Sequence, residues 1–315
     1  MFGFIVFVKC NINFLEYIEY IINLSSFREE YMSIIVENLR YTYMKDGPYE
    51  KDALKDVNIE INDGEVVAII GHTGSGKSTL IQHLNGLLKP TSGSVIVNGI
   101  DTHSKSLVEL RRQVGLVFQY PEHQLFEENV LKDVAFGLRK RGISNDETLL
   151  KVKRALKWVG LDENIIEKSP FELSGGQKRR VAIAGVLVLE PQILILDEPT
   201  AGLDPKGRDE IFELIKMLHN ETDNTIILVS HSMEDVAKLV NRVIVMNEGS
   251  VEMDGSPKEI FTRAERLEEI GLSAPQITYL MKKLKTYYST INDNIFTVQD
   301  AKKELMKFLG GIKNA

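Results

Sequence analysis

The sequence predicts an α/β fold with a mixed sheet at its core, and three patterns indicate it. Apolar, β-branched runs of strand length alternate with longer stretches of helical spacing, which is typical of parallel strands joined by helices. These runs lie at residues 65–70, 192–196, 225–230 and 242–246. Two earlier runs, residues 33–43 and 53–61, are candidates for antiparallel strands. Helical patterns between about residues 128 and 190 predict a helical insert that interrupts the α/β region.

The helical patterns also place the remaining elements. A helix is predicted at residues 77–88, directly after a glycine-rich loop, and another at residues 129–141 opens the insert. The last part of the chain is more highly charged, with helices predicted at residues 274–285 and 298–309. Residues 274–315 are therefore predicted to form a C-terminal helical appendage.

Charge and composition restrict the class of protein. The 38 basic and 45 acidic residues leave a net charge of −7, which argues against a partner held by phosphate neutralisation, so no nucleic acid is expected. The single cysteine, Cys10, cannot form an internal disulfide, which fits a reducing cytoplasm. Polar residues interrupt every long apolar stretch, so no segment is predicted to cross a membrane alone.

One glycine-rich segment fits the phosphate-binding pattern G-x-x-x-x-G-K-[ST], and it lies between a predicted strand and a predicted helix. Glycines let backbone N–H groups approach phosphate oxygens, and the helix N-terminus adds positive potential. Lys77 can reach the terminal phosphates, and Ser78 can offer its hydroxyl to Mg²⁺. The alternative is an ordinary glycine-rich turn. The predicted nucleotide-binding residues here are Gly71, His72, Thr73, Gly74, Ser75, Gly76, Lys77, Ser78 and Thr79.

Two adjacent carboxylates follow another predicted strand. Residues 193–196 are apolar and are expected to form a central buried strand that ends at Asp197 and Glu198. Asp197 is the expected Mg²⁺ ligand, and Glu198 is placed to polarise the water that attacks a γ-phosphate. The alternative is a buried strand that ends in solvated acids. A phosphate-binding loop needs a metal ligand downstream, and this need favours the catalytic interpretation.

A third segment, residues 173–177, reads Leu-Ser-Gly-Gly-Gln at the start of a predicted helix. Ser174 can cap that helix, which would explain the residue on structural grounds alone. The two glycines that follow also expose N–H groups that could hold a γ-phosphate. Together with the glycine-rich loop and the two acids, this segment resembles the ATPase of ABC transporters. In that family the LSGGQ segment of one subunit closes on ATP held by the other.

The resemblance extends to single positions and implies their roles. Gln119 resembles the glutamine that contacts Mg²⁺ and the attacking water, and His231 resembles the histidine that contacts the γ-phosphate. Tyr43 resembles the aromatic residue on which adenine stacks, and Tyr41 is the alternative. Asp204 resembles the acid of a loop that crosses the dimer interface. The resemblance thus implies ATP and Mg²⁺ as ligands, with catalytic residues Glu198, Lys77, His231 and Gln119, metal ligands Ser78, Asp197 and Gln119, and further nucleotide contacts from Tyr43, Ser174, Gly175, Gly176, Gln177 and Asp204.

Residues 113–137 are similar to a narrower family, the ATPase subunits of energy-coupling factor transporters. The similarity lies in F-Q-Y-P-E-H-Q-L-F at residues 118–126 and D-V-A-F-G at residues 133–137, and residues 41–54 look most like the second of two paired subunits. It implies a heterodimer with a second ATPase subunit, a membrane component that transmits the stroke, and a membrane component that binds a vitamin or a transition metal. The transmitter is expected to dock near residues 119–126.

The docking expectation has a physical counterpart in Leu125 and Phe126, two apolar residues in a predicted surface loop. The alternative is that both fold inward against the helical insert. Two other functions also stay open: an ATPase of another ABC importer branch, and a soluble ABC ATPase that acts on DNA or ribosomes. The soluble class usually carries a long coiled-coil insert or two ATPase halves, and this sequence has neither.

The resemblance also sets the expected division of the chain. Residues 32–273 are expected to form an ABC ATPase domain, a P-loop NTPase with an antiparallel β subdomain and the helical insert. Residues 1–31 are an extension of unknown role or a misassigned start. The subunit is expected to lie at the cytoplasmic face of the cell membrane as a peripheral protein, where ATP hydrolysis powers import.

Overall fold

The structure is a computed structural model that describes residues 32–313, and the extension predicted at residues 1–31 lies outside the described part. Its strands are β1 (Met32–Tyr43), β2 (Lys51–Asn62), β3 (Val66–Ile70), β4 (Ser92–Val97), β5 (Ile100–Asp101), β6 (Val114–Val117), β7 (Ile193–Asp197), β8 (Thr225–Val229), β9 (Arg242–Asn247) and β10 (Ser250–Gly255).

Its α-helices are α1 (Lys77–Leu84), α2 (Val108–Gln113), α3 (Val130–Val134), α4 (Phe136–Lys140), α5 (Asn145–Trp158), α6 (Gly175–Leu187), α7 (Pro205–Thr222), α8 (Met233–Leu239), α9 (Pro257–Thr262), α10 (Ala264–Glu269), α11 (Gln276–Tyr287) and α12 (Val298–Lys313). Three short 3-10 turns lie at Pro121–Gln124, Glu163–Ile165 and Pro170–Glu172. None of the helices within residues 32–313 is both long and apolar enough to cross a bilayer.

The central sheet has six strands in the order β10-β9-β3-β8-β7-β6. The neighbours from β9 to β6 are parallel, and β10 pairs antiparallel with β9. A second sheet of four antiparallel strands has the order β2-β1-β4-β5. The mixed sheet, the antiparallel subdomain and the helices around them confirm the predicted fold class.

Alternation within the central strands fixes the layers. Side chains in a strand point to opposite faces in turn. In β3, Val67 and Ile69 therefore pack in the core beneath the antiparallel sheet, whereas Ala68 and Ile70 pack in the core beneath the helices. All five residues of β3 are buried, as are all five of β7. Burial on both faces explains why these strands are continuously apolar in the sequence.

Two helical regions flank this core. Helices α3 to α6 lie between β6 and β7, where the sequence predicts the insert, and they share the large core with α7 and α8. Helices α11 and α12 surround a small core of their own made of Met281, Ile291, Ile295 and Ala301. The backbone N–H of Gln276 donates to the Glu234 carboxylate at 3.1 Å, which ties the appendage to α8. The residue limits of the three predicted parts stay a prediction.

Two predicted helices differ from the structure. Helix α1 ends at Leu84 instead of continuing to residue 88, because Gly86 adopts φ +70° and a Cβ there would lie 2.7 Å from the Leu107 side chain. The helix predicted at residues 129–141 is split into α3 and α4 at Ala135. At the split, the Lys132 carbonyl accepts a hydrogen bond from the Arg139 guanidinium at 3.0 Å.

Candidate functional site

Most of the predicted site residues meet at one edge of the central sheet. Parallel strands end at the same edge, and here β3 leads into the glycine-rich loop, β6 towards Gln119, β7 into Asp197 and β8 towards His231. A cleft of about 380 Å³ opens at this edge, a size suited to a small ligand. Its lining comprises Tyr43, Lys51, Ala53, Thr73, Gly74, Gly76, Lys77, Ser78, Thr79, Gln119, Asp197, Glu198 and His231.

The glycine-rich loop is built as a cradle. Gly74 has φ +86°, and a Cβ there would meet no atom within 4 Å, so the cleft side of the loop is open. Gly76 has φ +103°, and a Cβ there would lie 2.8 Å from the Ala53 carbonyl oxygen, so only glycine fits. The next residue, Lys77, is the first of α1, so the N-terminus of that helix lies at the end of the loop. Open N–H groups at a helix N-terminus are suited to phosphate oxygens.

Lys77 is held back against its own loop. Its Nζ atom donates to the carbonyl oxygens of Gly71 at 2.7 Å and His72 at 3.0 Å. Burial lowers the pKa of Lys77, and the negative charges of Glu198 and Asp197 oppose that change. The lysine therefore already has acceptors and counter-charges that keep a cation beside the cradle.

Three predicted loop residues lie behind the cradle and do not line the cleft. Gly71 contributes a carbonyl to Lys77, and the His72 ring lies 3.2 Å from Asn247 Oδ1. The hydroxyl of Ser75 is buried and has no hydrogen-bond partner in the part of the chain that the structure describes, while its carbonyl accepts from the backbone N–H of Gly249 at 3.0 Å. The β9–β10 turn thus supports the loop from the rear.

The two acids lie side by side at the end of β7. Burial raises the pKa of Asp197, with the Lys77 charge opposing that rise. Burial also raises the pKa of Glu198 to about 7; the Asp197 charge adds to this effect, while a backbone hydrogen bond from His231 and the Lys77 charge oppose it. Burial therefore favours the protonated form of Glu198.

Glu198 has an oxygen that no donor within residues 32–313 satisfies. The Nε2 atom of His231 lies 3.2 Å from Glu198 Oε1. That contact lacks hydrogen-bond alignment, so Oε1 is buried without a hydrogen-bond partner among the described residues. Burial, together with the Lys77 charge, lowers the pKa of His231, which favours its neutral form. The orphaned acceptor beside the cleft can hold a polar hydrogen, such as that of a water molecule.

The structure separates the two tyrosines proposed for adenine. Tyr43 lines the cleft, is 38% exposed, and its hydroxyl lies 3.1 Å from Thr79 Oγ1. Tyr41 is partly buried and packs edge-on against Tyr43 and against His83, with ring centroids 4.8 Å apart in each pair. Burial raises the pKa of Tyr41. Of the two tyrosines, Tyr43 is therefore the one that lines the cleft.

Lys51 and Ala53 also line the cleft, although they belong to none of the sequence motifs. The register of the antiparallel sheet places Lys51 directly opposite Tyr43. The predicted second strand begins at residue 53, whereas β2 begins at Lys51, so pairing the predicted strands does not reach this neighbour.

The LSGGQ segment and Asp204 do not line this cleft. Ser174 Oγ accepts from Gln177 N at 3.3 Å, and Gln177 Oε1 accepts from Ser174 N at 3.0 Å, which forms a capping box for α6. A Cβ at Gly175 or Gly176 would meet no atom within 4 Å. Asp204 caps α7 by accepting from Gly207 N at 2.9 Å. No packing within the described part of the chain requires these two glycines.

The predicted docking loop divides between core and surface. Leu125 packs against the large core, whereas Phe126 is 62% exposed. Leu125 thus folds inward and Phe126 lies at the surface, and docking of a partner here stays a prediction. The loop is fixed by Asp133, whose Oδ2 accepts from the backbone N–H groups of Phe126 at 3.2 Å and Glu127 at 2.9 Å.

The fold and the cleft define an ATPase of the ABC type, and the ABC transporter family profile matches residues 54–201. Over 278 residues the chain is 64% identical to the energy-coupling factor transporter ATP-binding protein EcfA2 of Acetivibrio thermocellus, which covers 88% of this chain and 99% of that protein. The protein of the same description from Clostridium tetani is 61% identical over 279 residues, with 88% and 97% covered. The chain belongs to the family of energy-coupling factor transporter ATP-binding proteins, as predicted.

Solved structures agree with this assignment. A structure described as cbiO1 from Clostridium perfringens, part of the ABC transporter complex cbiONQ, is 45% identical, covers 80% of this chain and 99% of its own, and gives a TM-score of 0.68. The ATP-binding cassette MJ0796, described as a dimer in a post-hydrolysis state bound to ADP and Pi, is 35% identical, covers 71% and 98%, and gives 0.65. Membership of this family makes the chain an ATP-binding protein with an ABC ATPase fold.

Proposed function

We propose that this chain is the ATP-hydrolysing subunit that powers an energy-coupling factor transporter, which imports a vitamin or a transition metal across the cell membrane. The observation that carries the proposal is the cleft itself, where the phosphate cradle, Asp197, Glu198 and His231 meet. The names of the related proteins support the transporter. The subunit would act as a peripheral protein at the cytoplasmic face of the membrane, without nucleic acid.

The lining of the cleft suggests how ATP would be held. Adenine would stack on the exposed ring of Tyr43, a contact that needs only a π-face. The open loop around Gly74 and the N-terminus of α1 would receive the phosphates, with Lys77 as the cation beside them. Gly71, His72 and Ser75 would support this loop from behind, and Thr79 would help to position the Tyr43 ring through its hydroxyl.

The same cleft offers ligands for Mg²⁺. Ser78, Asp197 and Gln119 line it together, and they supply two neutral oxygens and one carboxylate. Within residues 32–313 no group of three or more His, Cys, Asp or Glu side chains could hold a metal by itself. Such a sparse set fits Mg²⁺, which usually shares one or two carboxylates with substrate phosphates and water. When bound, the ion would neutralise charge on the phosphate oxygens.

Hydrolysis would depend on Glu198, Lys77, His231 and Gln119. The unsatisfied Oε1 of Glu198 is an acceptor for a hydrogen of the attacking water, and its pKa of about 7 suits proton exchange at neutral pH. Neutral His231 and the Lys77 cation would stabilise charge on the phosphoryl group being transferred. Gln119 lines the cleft and is the first residue of the docking loop, residues 119–126, so it would couple that loop to the site of hydrolysis.

A second ATPase subunit would complete the site. Ser174, Gly175 and Gly176 are exposed, and the open space around the glycines is suited to another chain's γ-phosphate. Gln177 keeps the capping box formed while the helix N-terminus is presented. Asp204 is exposed at the start of α7, on the loop expected to cross between subunits. We propose that this partner is a different, related ATPase chain.

The surface around Phe126 would receive the membrane transmitter component. Phe126 packs edge-on against the partly exposed Phe136 with ring centroids 5.2 Å apart, and Tyr120 is exposed nearby in the same segment. An ordered apolar patch of this kind suits an amphipathic helix of a partner. The transmitter would link the ATPases to the membrane component that binds the substrate.

The experiment is to isolate a tagged full chain from its own membranes and identify what accompanies it. We expect a second ATPase and a small membrane protein, and Phe126→Ser should lose the membrane protein while ATP binding by the isolated chain persists. Leu150→Ser, which changes an exposed leucine on α5, is the control. Recovery of the chain with ribosomes or DNA and without a membrane protein would refute the proposal.

A further inference from the structure

One guanidinium group connects the docking loop to the helix that presents the LSGGQ segment. Arg179 lies one turn into α6, and its side chain is only 3% exposed. Its Nε atom donates to Glu122 Oε2 at 3.0 Å, and its NH2 atom donates to Glu122 Oε1 at 3.2 Å. Glu122 belongs to the turn at Pro121–Gln124, between Gln119 and Phe126. This fork is the two-bond geometry that arginine makes with a carboxylate.

The third nitrogen of the same group holds a different loop. The NH1 atom of Arg179 donates to the carbonyl oxygens of Ala201 at 2.6 Å and Pro199 at 3.3 Å. This loop joins Glu198 to Asp204. The guanidinium also lies 5.7 Å from the ring centroid of Tyr120. All three nitrogens are therefore committed, to two loops that approach from different strands.

Both loops contain a non-glycine residue in a left-handed conformation. Tyr120 has φ +54° and Glu198 has φ +51°. Such residues keep this conformation only where the surroundings hold them in place. The Arg179 guanidinium lies over the Tyr120 ring and donates to the carbonyl oxygen of Pro199, the residue that follows Glu198. It is thus placed to hold both conformations at once.

We propose that Arg179 is the positioning residue that couples the docking loop, residues 119–126, to two other elements. These are the loop that joins Glu198 to Asp204 and the helix α6 that presents the LSGGQ segment. The proposal rests on the proposed function, because it requires a partner on residues 119–126. A guanidinium is planar, so a displacement of Glu122 either carries the whole group with it or breaks the fork. Since a buried charge is poorly tolerated without partners, the three elements shift together and not independently.

A simple stabilising ion pair is the alternative, and the chain contains a matched control for it. Arg242 on β9 forms a similar fork with Asp254 on β10, with Nε to Oδ1 and NH2 to Oδ2 both at 2.7 Å. Its NH1 atom donates to the Glu60 carbonyl at 2.8 Å. Neither Arg242 nor Asp254 lines the nucleotide cleft. The same NH1 atom also pairs with Glu65 Oε2 at 3.2 Å, and the Arg242 side chain is 24% exposed. The two forks share their two-bond geometry and differ in burial and in the elements that they connect.

The test uses the assembled transporter, isolated from membranes through a tag on this chain. Glu122→Gln keeps the shape but turns one acceptor of the fork into a donor, and Arg179→Lys keeps the charge but loses the fork. Asp254→Asn and Arg242→Lys are the matched controls. For each variant, kcat and KM for ATP hydrolysis are measured with the Tm and with ATP binding by the isolated chain.

We expect both variants of the Arg179 fork to lower kcat about tenfold to a hundredfold, the change that corresponds to loss of a charge-assisted hydrogen bond. KM and ATP binding should stay within about twofold, because neither Arg179 nor Glu122 lines the cleft. Because the Arg179 fork is more deeply buried than the Arg242 fork, its variants should lose at least as much Tm as the controls, so kcat is measured well below every Tm. The controls should keep the parental kcat.

Two results would overturn the inference. One is a kcat within about twofold of the parent in Glu122→Gln, and the other is a joint loss of kcat, ATP binding and Tm in both forks alike. If Arg179→Lys does not fold, Glu122→Gln decides alone, since the Glu122 side chain is 20% exposed and its replacement is nearly isosteric. Absence of ATP hydrolysis in the unchanged transporter would instead count against the proposed function.

Discussion

Replacing Glu198 with glutamine should make the nucleotide-free protein more stable, and only above acidic pH. The side chain is 13% exposed, and its Oε1 atom has no hydrogen-bond partner within residues 32–313. Burial raises its pKa from 4.5 to about 7, so the folded protein favours the protonated acid. Glutamine keeps the shape and the acceptor for the His231 backbone while it removes the charge.

The size and sign of the effect follow from this pKa. A tenfold change in proton affinity corresponds to about 1.4 kcal/mol, so ionised Glu198 costs the folded state about 3 kcal/mol. Because the folded pKa is raised, the stabilising contribution of protonated Glu198 in the parent is fully present below about pH 4.5. That contribution is lost as the pH rises through about 7. The free energy of unfolding of Glu198→Gln should not fall with pH in this way, because glutamine does not ionise.

The assay is thermal unfolding of the isolated chain without nucleotide at pH 5 and pH 8. At pH 8 the Tm of Glu198→Gln should exceed that of the parent by about 6 °C, and at pH 5 by about 2 °C or less. Glu213→Gln, which changes an exposed carboxylate on α7, is the control and should show no such pH dependence. An equal Tm difference at both pH values would refute the reasoning.

Three further outcomes are expected. Tyr43→Ala should weaken ATP binding about tenfold with little change in Tm, as expected for loss of one stacking contact, whereas Tyr41→Ala should mainly lower the Tm; nucleotide titration and thermal unfolding separate the two. Leu194→Ala, in fully buried β7, should reduce the free energy of unfolding by about 2–5 kcal/mol, measured by urea denaturation, and an effect below about 1 kcal/mol would contradict the burial. Ser174→Ala should lose about 1 kcal/mol of stability, because it removes the helix cap. It should also lower ATP hydrolysis by the paired subunits while the isolated chain binds ATP normally. Weaker ATP binding by the isolated chain would count against a role of Ser174 towards the partner.

Local sequence patterns predicted much of this fold because the patterns have local causes. The runs that became β3 and β7 are continuously apolar since helices cover one face of the sheet and the antiparallel sheet covers the other. Gly76 had to be glycine because its φ is positive and the Ala53 carbonyl lies against it. Such constraints can be inferred from the residue types at these positions alone.

Other features depend on contacts between residues that are distant in the sequence, so no local sequence pattern predicts them. The end of α1 follows from Gly86 lying against Leu107, and the short strand β5 exists through its pairing with β4. The choice of Tyr43 over Tyr41 depends on which strand face meets His83. The Arg179 fork joins residues 57 positions apart in the chain, so periodicity could not indicate it.

The measurement that tests the central claim most directly is ATP hydrolysis at saturating ATP by the assembled transporter that carries Glu198→Gln, with bound nucleotide measured on the same sample. The account predicts that ATP stays bound while hydrolysis falls about a hundredfold or more and substrate uptake stops, because the residue that orients the attacking water has lost its basicity. Hydrolysis at the parental rate with ATP bound would contradict it.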